Sequence, residues 1–107
     1  MAKYLLLYNG GSGMPQTEAE QKAIIDDWTA WYNRLGGAVV DPGNPTSPLA
    51  KTIDSNGKVG AVPAGVMVTG YTIIKADSLD GAVTMAKGCP VLKSNGQISV
   101  FETFDVM

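Results

Sequence analysis

Short runs that are apolar on both sides alternate along this chain with segments of helical spacing. Residues 3–8 (KYLLLY) set Tyr4, Leu6 and Tyr8 on one side and Leu5 and Leu7 on the other, which predicts a strand inside a sheet. Residues 68–76 repeat the pattern: Val68, Gly70, Thr72 and Ile74 face one way, and Thr69, Tyr71, Ile73 and Lys75 the other. Their β-branched and aromatic content suits a pleated, half-buried surface, and Gly70 marks a bulge or a close approach. Between these runs, Ile24, Trp28, Trp31 and Leu35 form one helical stripe, widened by Ile25 and Tyr32. Thr17 and Glu20 make a capping box at its start, and Gly36-Gly37 ends it. A shorter helix follows the 68–76 strand. Ser78 is its N-cap, Leu79, Ala82, Val83 and Ala86 are its stripe, Gly88 is its C′ residue and Pro90 forbids continuation. Residues 97–104 are the last strand, in which Ile98, Val100 and Glu102 alternate with Ser99, Phe101 and Thr103.

The connections complete the order. Residues 9–13 (NGGSG) join strand to helix. A glycine-rich loop there can cradle phosphate, but this one lacks the GxGxxG spacing and the Lys-Ser/Thr of a P-loop, so it reads as a plain connection. Residues 37–41 form a short strand. Residues 41–48 (DPGNPTSP) are a turn region fixed by Pro42, Pro45 and Pro48; it reverses the chain, with the lining of a binding site as the alternative. Residues 51–62 read as a small hairpin about Asn56-Gly57. Residues 91–95 are a loop, and residues 105–107 a tail placed to reach a partner chain. The result is an α+β chain with the ferredoxin-like order β-α-β-β-α-β plus a small extra hairpin. Its sheet is mainly antiparallel and both helices lie on one face. That leaves the second face bare, yet both faces are apolar, so two subunits are expected to stack their sheets about a two-fold axis as a dimeric α+β barrel.

At 107 residues the chain is a single domain, 1–107. A net charge of −2 with no basic patch argues against nucleic acid as a partner. Cys89 is the one cysteine, which rules out an internal disulfide and fits a reducing compartment; it reads as a small buried hydrophobe. No apolar run approaches a membrane span or a signal peptide, so the expected location is cytoplasmic, with no membrane partner. There is no histidine. That removes the commonest general base and metal ligand, excludes Ser-His-Asp and Cys-His arrangements, and leaves no metal site and no cofactor expected.

What remains is an aromatic face. Trp28, Trp31 and Tyr32 either pack as core or wall a small-molecule pocket between helix and sheet, with Tyr8 and Tyr71 as opposite walls. A base there would have to be Asp26, Asp27, Asp41 or Asp77 with a raised pKa. Three functions follow: a homodimer that binds a small molecule in an aromatic-lined cleft, a cofactor-independent enzyme with an aspartate base, or a structural or regulatory dimerisation module.

Several stretches resemble the YCII-related (DGPF-containing) domain family: KYLLLYNG, the LGG that ends the first helix, DSNGKV, and above all GYTIIKADSLDGAVTMAKGCP followed by GQISVFETF. The resemblance spans nearly the whole chain. It implies a dimeric α+β barrel and a bacterial cytoplasmic protein of unknown function. Some members are considered enzymes because a His and an Asp share a cleft. This chain departs from that pattern: it has no histidine to form the pair, and Val62-Pro63-Ala64-Gly65 stands where DGPF would be.

Overall fold

The computed structural model describes residues 1–10 and 17–106. Most of the glycine-rich connection expected at 9–13 lies outside them. Strand β1 is Ala2–Gly10, helix α1 Glu18–Leu35, and strand β2 Val39–Asp41. Strands β3 (Thr52–Ile53) and β4 (Val59–Gly60) form a separate hairpin. Strand β5 (Val68–Ala76), helix α2 (Leu79–Ala86) and strand β6 (Gly96–Glu102) complete the order. The main sheet has four strands in the order β2-β5-β1-β6, and every pairing in it is antiparallel.

The helix ends follow their local chemistry. Thr17 Oγ1 accepts the Glu20 N–H at 3.1 Å, and Ser78 Oγ accepts the Gly81 N–H at 3.0 Å, so both N-caps fall where the sequence puts them. Gly36 ends α1 with φ 56°, a conformation that favours glycine. After α2, residues Pro90–Ser94 wind into a 3-10 turn where the sequence reads as a loop. Pro90 opens it, which a proline does at no cost in hydrogen bonds, and Asn95 closes it in the left-handed region.

Register decides the faces. Tyr4 pairs with Ile74, Leu6 with Thr72 and Tyr8 with Gly70, so these residues share one side of the sheet. Together with Trp31 of α1, Ala82 and Ala86 of α2, and Cys89, they make the core. Both helices therefore cover this face. The indole N–H of Trp31 donates to the Met85 carbonyl at 3.0 Å, which ties α1 to the end of α2 at a carbonyl that also accepts the Gly88 N–H.

Among the described residues, neither helix packs on the other face. Across it run Ile73, Leu5 and Phe101 in one row and Tyr71, Leu7 and Ser99 in the next. The molecule measures 44 × 40 × 19 Å, a slab about as thick as one sheet and one helix layer. Its radius of gyration is 15.2 Å, against about 13 Å for a compact domain of this length. In the arm that carries β3 and β4, every residue from 44 to 61 is exposed. The arm holds its shape through Asp54, whose Oδ1 accepts the N–H groups of Asn56 and Lys58, both at 2.9 Å. The turn is thus a five-residue loop organised by Asp54, with Gly57 at φ 85°, rather than a tight Asn-Gly turn.

Candidate functional site

The aromatic side chains named from the sequence split between the two faces. Tyr8, Trp28, Trp31 and Tyr32 meet on the helix side. Trp28 stands edge-on to Tyr8, with ring centres 5.5 Å apart, and edge-on to Trp31 at 5.7 Å. Tyr32 lies 5.3 Å from Trp31. Tyr71 is not part of this group. It pairs with Leu7, so its side chain belongs to the face away from the helices. Alternation within each strand is readable from sequence; which side of one strand joins which side of the next is set by register.

Beneath the rings lies a closed chain of hydroxyls. Tyr8 OH donates to Thr72 Oγ1 at 2.6 Å, and Thr72 Oγ1 donates to the Pro42 carbonyl at 3.0 Å. Tyr32 OH donates to the same carbonyl, also at 3.0 Å. Pro42 thereby joins the turn region to helix and sheet. This part of the 41–48 segment is a structural tie, and the sequence offers no signal for a proline carbonyl in that role. Two glycines let the segment lie close. A Cβ on Gly70 would sit 3.3 Å from the Asn44 carbonyl oxygen and 3.3 Å from the Tyr8 ring. Gly43, at φ 75°, would overlap the Tyr71 carbonyl if it carried a side chain.

Burial pushes the Tyr8 and Tyr32 hydroxyls and the Cys89 thiol above their ordinary pKa values. Cys89 lies beside Tyr8, buried and protonated at neutral pH, so its thiol is a poor nucleophile. No acid–base group in this cluster is poised near pH 7.

Of the candidate carboxylates, Asp41 lies near the rings, where its charge helps to raise the Tyr32 hydroxyl, while Asp26, Asp27 and Asp77 are exposed. Asp26 and Asp27 are exposed on α1, and Asp26 Oδ2 is paired with Lys22 Nζ at 2.8 Å. Asp77 is exposed between β5 and α2. Asp41 is half-buried, and its Oδ1 accepts the Gly43 N–H at 2.8 Å, which makes it a turn residue. Among the described residues, no group of three or more His, Cys, Asp or Glu is placed to hold a metal ion. Among the same residues, no helix is long and apolar enough to cross a membrane.

The helical stripe is only partly packed. Trp31 is buried, and Trp28, Tyr32 and Leu35 pack against the core at its edge. Ile25, at 62% exposure, and Ile24 stay open at the start of α1. Two open hollows lie elsewhere. One, of about 270 Å³, is lined by Asn9, Gly10, Ala64, Gly65, Asn95 and Gln97. The other, of about 250 Å³, lies at the base of the arm between residues 46–50 and 62–68. Comparison with protein-family models and with curated proteins finds no match to this chain.

Proposed function

We propose that this chain is a homodimerisation domain of the YCII-related kind, with the dimer as its working unit. The carrying observation is the sheet face away from the helices, where Leu5, Leu7, Tyr71, Ile73 and Phe101 adjoin across three strands. Phe101 is half exposed there. Contiguous apolar surface of this kind is costly to leave in water, and a two-fold axis lets the same face cover itself. The strand order β2-β5-β1-β6, with both helices on the opposite face, is what a ferredoxin-like α+β barrel subunit requires. The lone reduced cysteine favours a cytoplasmic setting. Light scattering at micromolar concentration tests the proposal. The expected mass is twice the 11.2 kDa of one chain, and a single-chain mass across the range refutes it.

A second reading, binding of a small molecule, rests on Trp28 and Tyr32. Both rings are half-buried at the rim of a cluster whose inner members are buried. An aromatic ligand could stack there without displacing the hydroxyl chain beneath. Quenching of tryptophan emission by such a ligand, lost in Trp28→Leu, supports it; flat titrations across small aromatic acids remove it. An enzyme with an aspartate base draws no support from the geometry, because the four aspartates are exposed or committed to a turn.

A further inference from the structure

We infer that the turn of the β3–β4 arm is a site of self-modification, at which Asn56 cyclises onto the Gly57 backbone nitrogen and reopens as aspartate or isoaspartate. The chemistry belongs to the dipeptide. The backbone nitrogen after an asparagine can attack the side-chain carbonyl carbon, and a glycine there puts no Cβ in the way. That nitrogen gives up its proton and bonds to Cγ, the bond from Cγ to the side-chain nitrogen breaks, and ammonia leaves with the proton. Water then adds to either carbonyl of the succinimide and opens the ring. No oxidant, reductant or enzyme is needed, which is why asparagine counts among the thermolabile residues.

The sequence holds three such pairs, Asn9-Gly10, Asn56-Gly57 and Asn95-Gly96. The fold separates them. Asn9 is half-buried in β1, between Val68 of β5 and Gln97 of β6. Gly10 and Gly96 pair with each other across β1 and β6. Asn95 is exposed, but its backbone is committed: it closes the 3-10 turn at φ 64° and ψ 19°, and its N–H donates to the Val91 carbonyl. Ring closure needs a strongly negative ψ, so Asn95 would have to swing Gly96 out of the sheet. Gly96 also lies tight against Val91, where a Cβ would stand 2.6 Å from that side chain.

Asn56 is outside the main sheet. It and Gly57 are exposed, and a Cβ built on Gly57 would meet nothing within 4 Å. The flanking strands have two residues each, and so small a ribbon opens at little cost. What holds the turn is Asp54. Its carbonyl accepts the Gly57 N–H at 3.0 Å, and its Oδ1 accepts the N–H groups of Asn56 and Lys58. The Gly57 nitrogen is the nucleophile, so these bonds must open before the ring closes, and Asp54 acts as a latch on the reaction. The product acts on the arm. Isoaspartate adds a methylene to the backbone and a carboxylate beside Asp54, which spoils the spacing that lets Asp54 bond to both Asn56 and Lys58. The pairing of β3 with β4 is then lost, while the main sheet shares no strand with the arm and keeps its register.

A time course on the full-length chain in mildly alkaline buffer tests this, with digestion, chromatographic separation of aspartate from isoaspartate peptides, and mass spectrometry. Asn56 is expected to react about tenfold faster than Asn9 or Asn95, and the three rates to converge when the chain is unfolded in urea. Asp54→Ala is expected to speed Asn56 by about threefold or more and leave the other two unchanged, with far-UV circular dichroism and tryptophan emission as checks on the fold. Asn56→Gln is expected to abolish the reaction at that position. Equal rates in the folded chain, or a faster Asn9 or Asn95, overturn the inference. A difference that persists in urea overturns its structural cause, and an unchanged Asn56 rate in Asp54→Ala overturns the latch.

Discussion

The two faces of the main sheet carry similar side chains and have different surroundings. On one, Tyr4, Leu6, Thr72 and Ile74 are buried under both helices. On the other, Leu5, Leu7, Tyr71 and Ile73 are only half-buried, and Phe101 is open. Composition alone does not separate them, since leucine, isoleucine and tyrosine occur on both. The difference lies in what the rest of the chain provides. The covered face has a partner for each polar group: Trp31 has the Met85 carbonyl, Tyr8 has Thr72, and Thr72 and Tyr32 share the Pro42 carbonyl. Such a surface is finished. The open face is apolar and unfinished, so the assembly is to be sought there and the rigidity of the subunit on the helix side.

Substitutions on the covered face should act on stability. Trp31→Ala removes the largest buried side chain and leaves the Met85 carbonyl without its indole donor. A loss of about 3–5 kcal/mol is expected in urea denaturation. A loss below about 1 kcal/mol would mean that the helices do not depend on this contact. Thr72→Val keeps the shape but deprives the Tyr8 hydroxyl of its acceptor. The expected cost is about 1–3 kcal/mol, with Tyr8→Phe in the same chain recovering part of it, as stranding one buried partner is worse than removing both.

Alkaline pH probes the same cluster. Tyr8, Tyr32 and Cys89 hold their protons more tightly folded than unfolded. The unfolded chain therefore loses protons first as pH rises, and stability falls. The decline should begin near the unfolded thiol value, about pH 8.5–9, and steepen above the unfolded tyrosine value, about pH 10, at up to about 1.4 kcal/mol per pH unit for each group. Stability should be flat with respect to these groups below pH 8. Tyr8→Phe should flatten the alkaline limb, and denaturation midpoints across pH 7–11 read the effect. The smallest change is expected from Asp26→Asn, which breaks an exposed pair with Lys22. Its denaturation midpoint should match the wild type's within error, and a clear drop would give that carboxylate a role the structure does not assign.

Much of the fold is legible in the residues. Thr17 and Ser78 announce the helix starts, Gly36 ends the first helix, and alternation in β1 and β5 sorts each strand into two sides. Gly70 signals the close approach that Asn44 and Tyr8 make. The site is less legible. Tyr71 and Tyr8 look like facing walls because nothing local fixes the register between strands nine residues long; pairing Leu7 with Tyr71 puts the two tyrosines on opposite faces. Ile24 and Ile25 fit the helical stripe by spacing, yet they stay exposed, because periodicity gives direction and not what lies opposite. The Pro42 carbonyl, acceptor for two hydroxyls, has no side-chain signature at all.

The central claim is that the open face is an interface, and Phe101 is where it can be struck without touching the core. Phe101 pairs with Leu5 at the β6 end of an apolar row and is half exposed, so an aspartate there meets water in a single subunit and an apolar partner in a dimer. Sedimentation equilibrium of wild type and Phe101→Asp, side by side, measures this directly. The account predicts a dimeric wild type and a variant that is monomeric at the same concentration, with unchanged far-UV circular dichroism. Equal dimerisation in the two chains would contradict it.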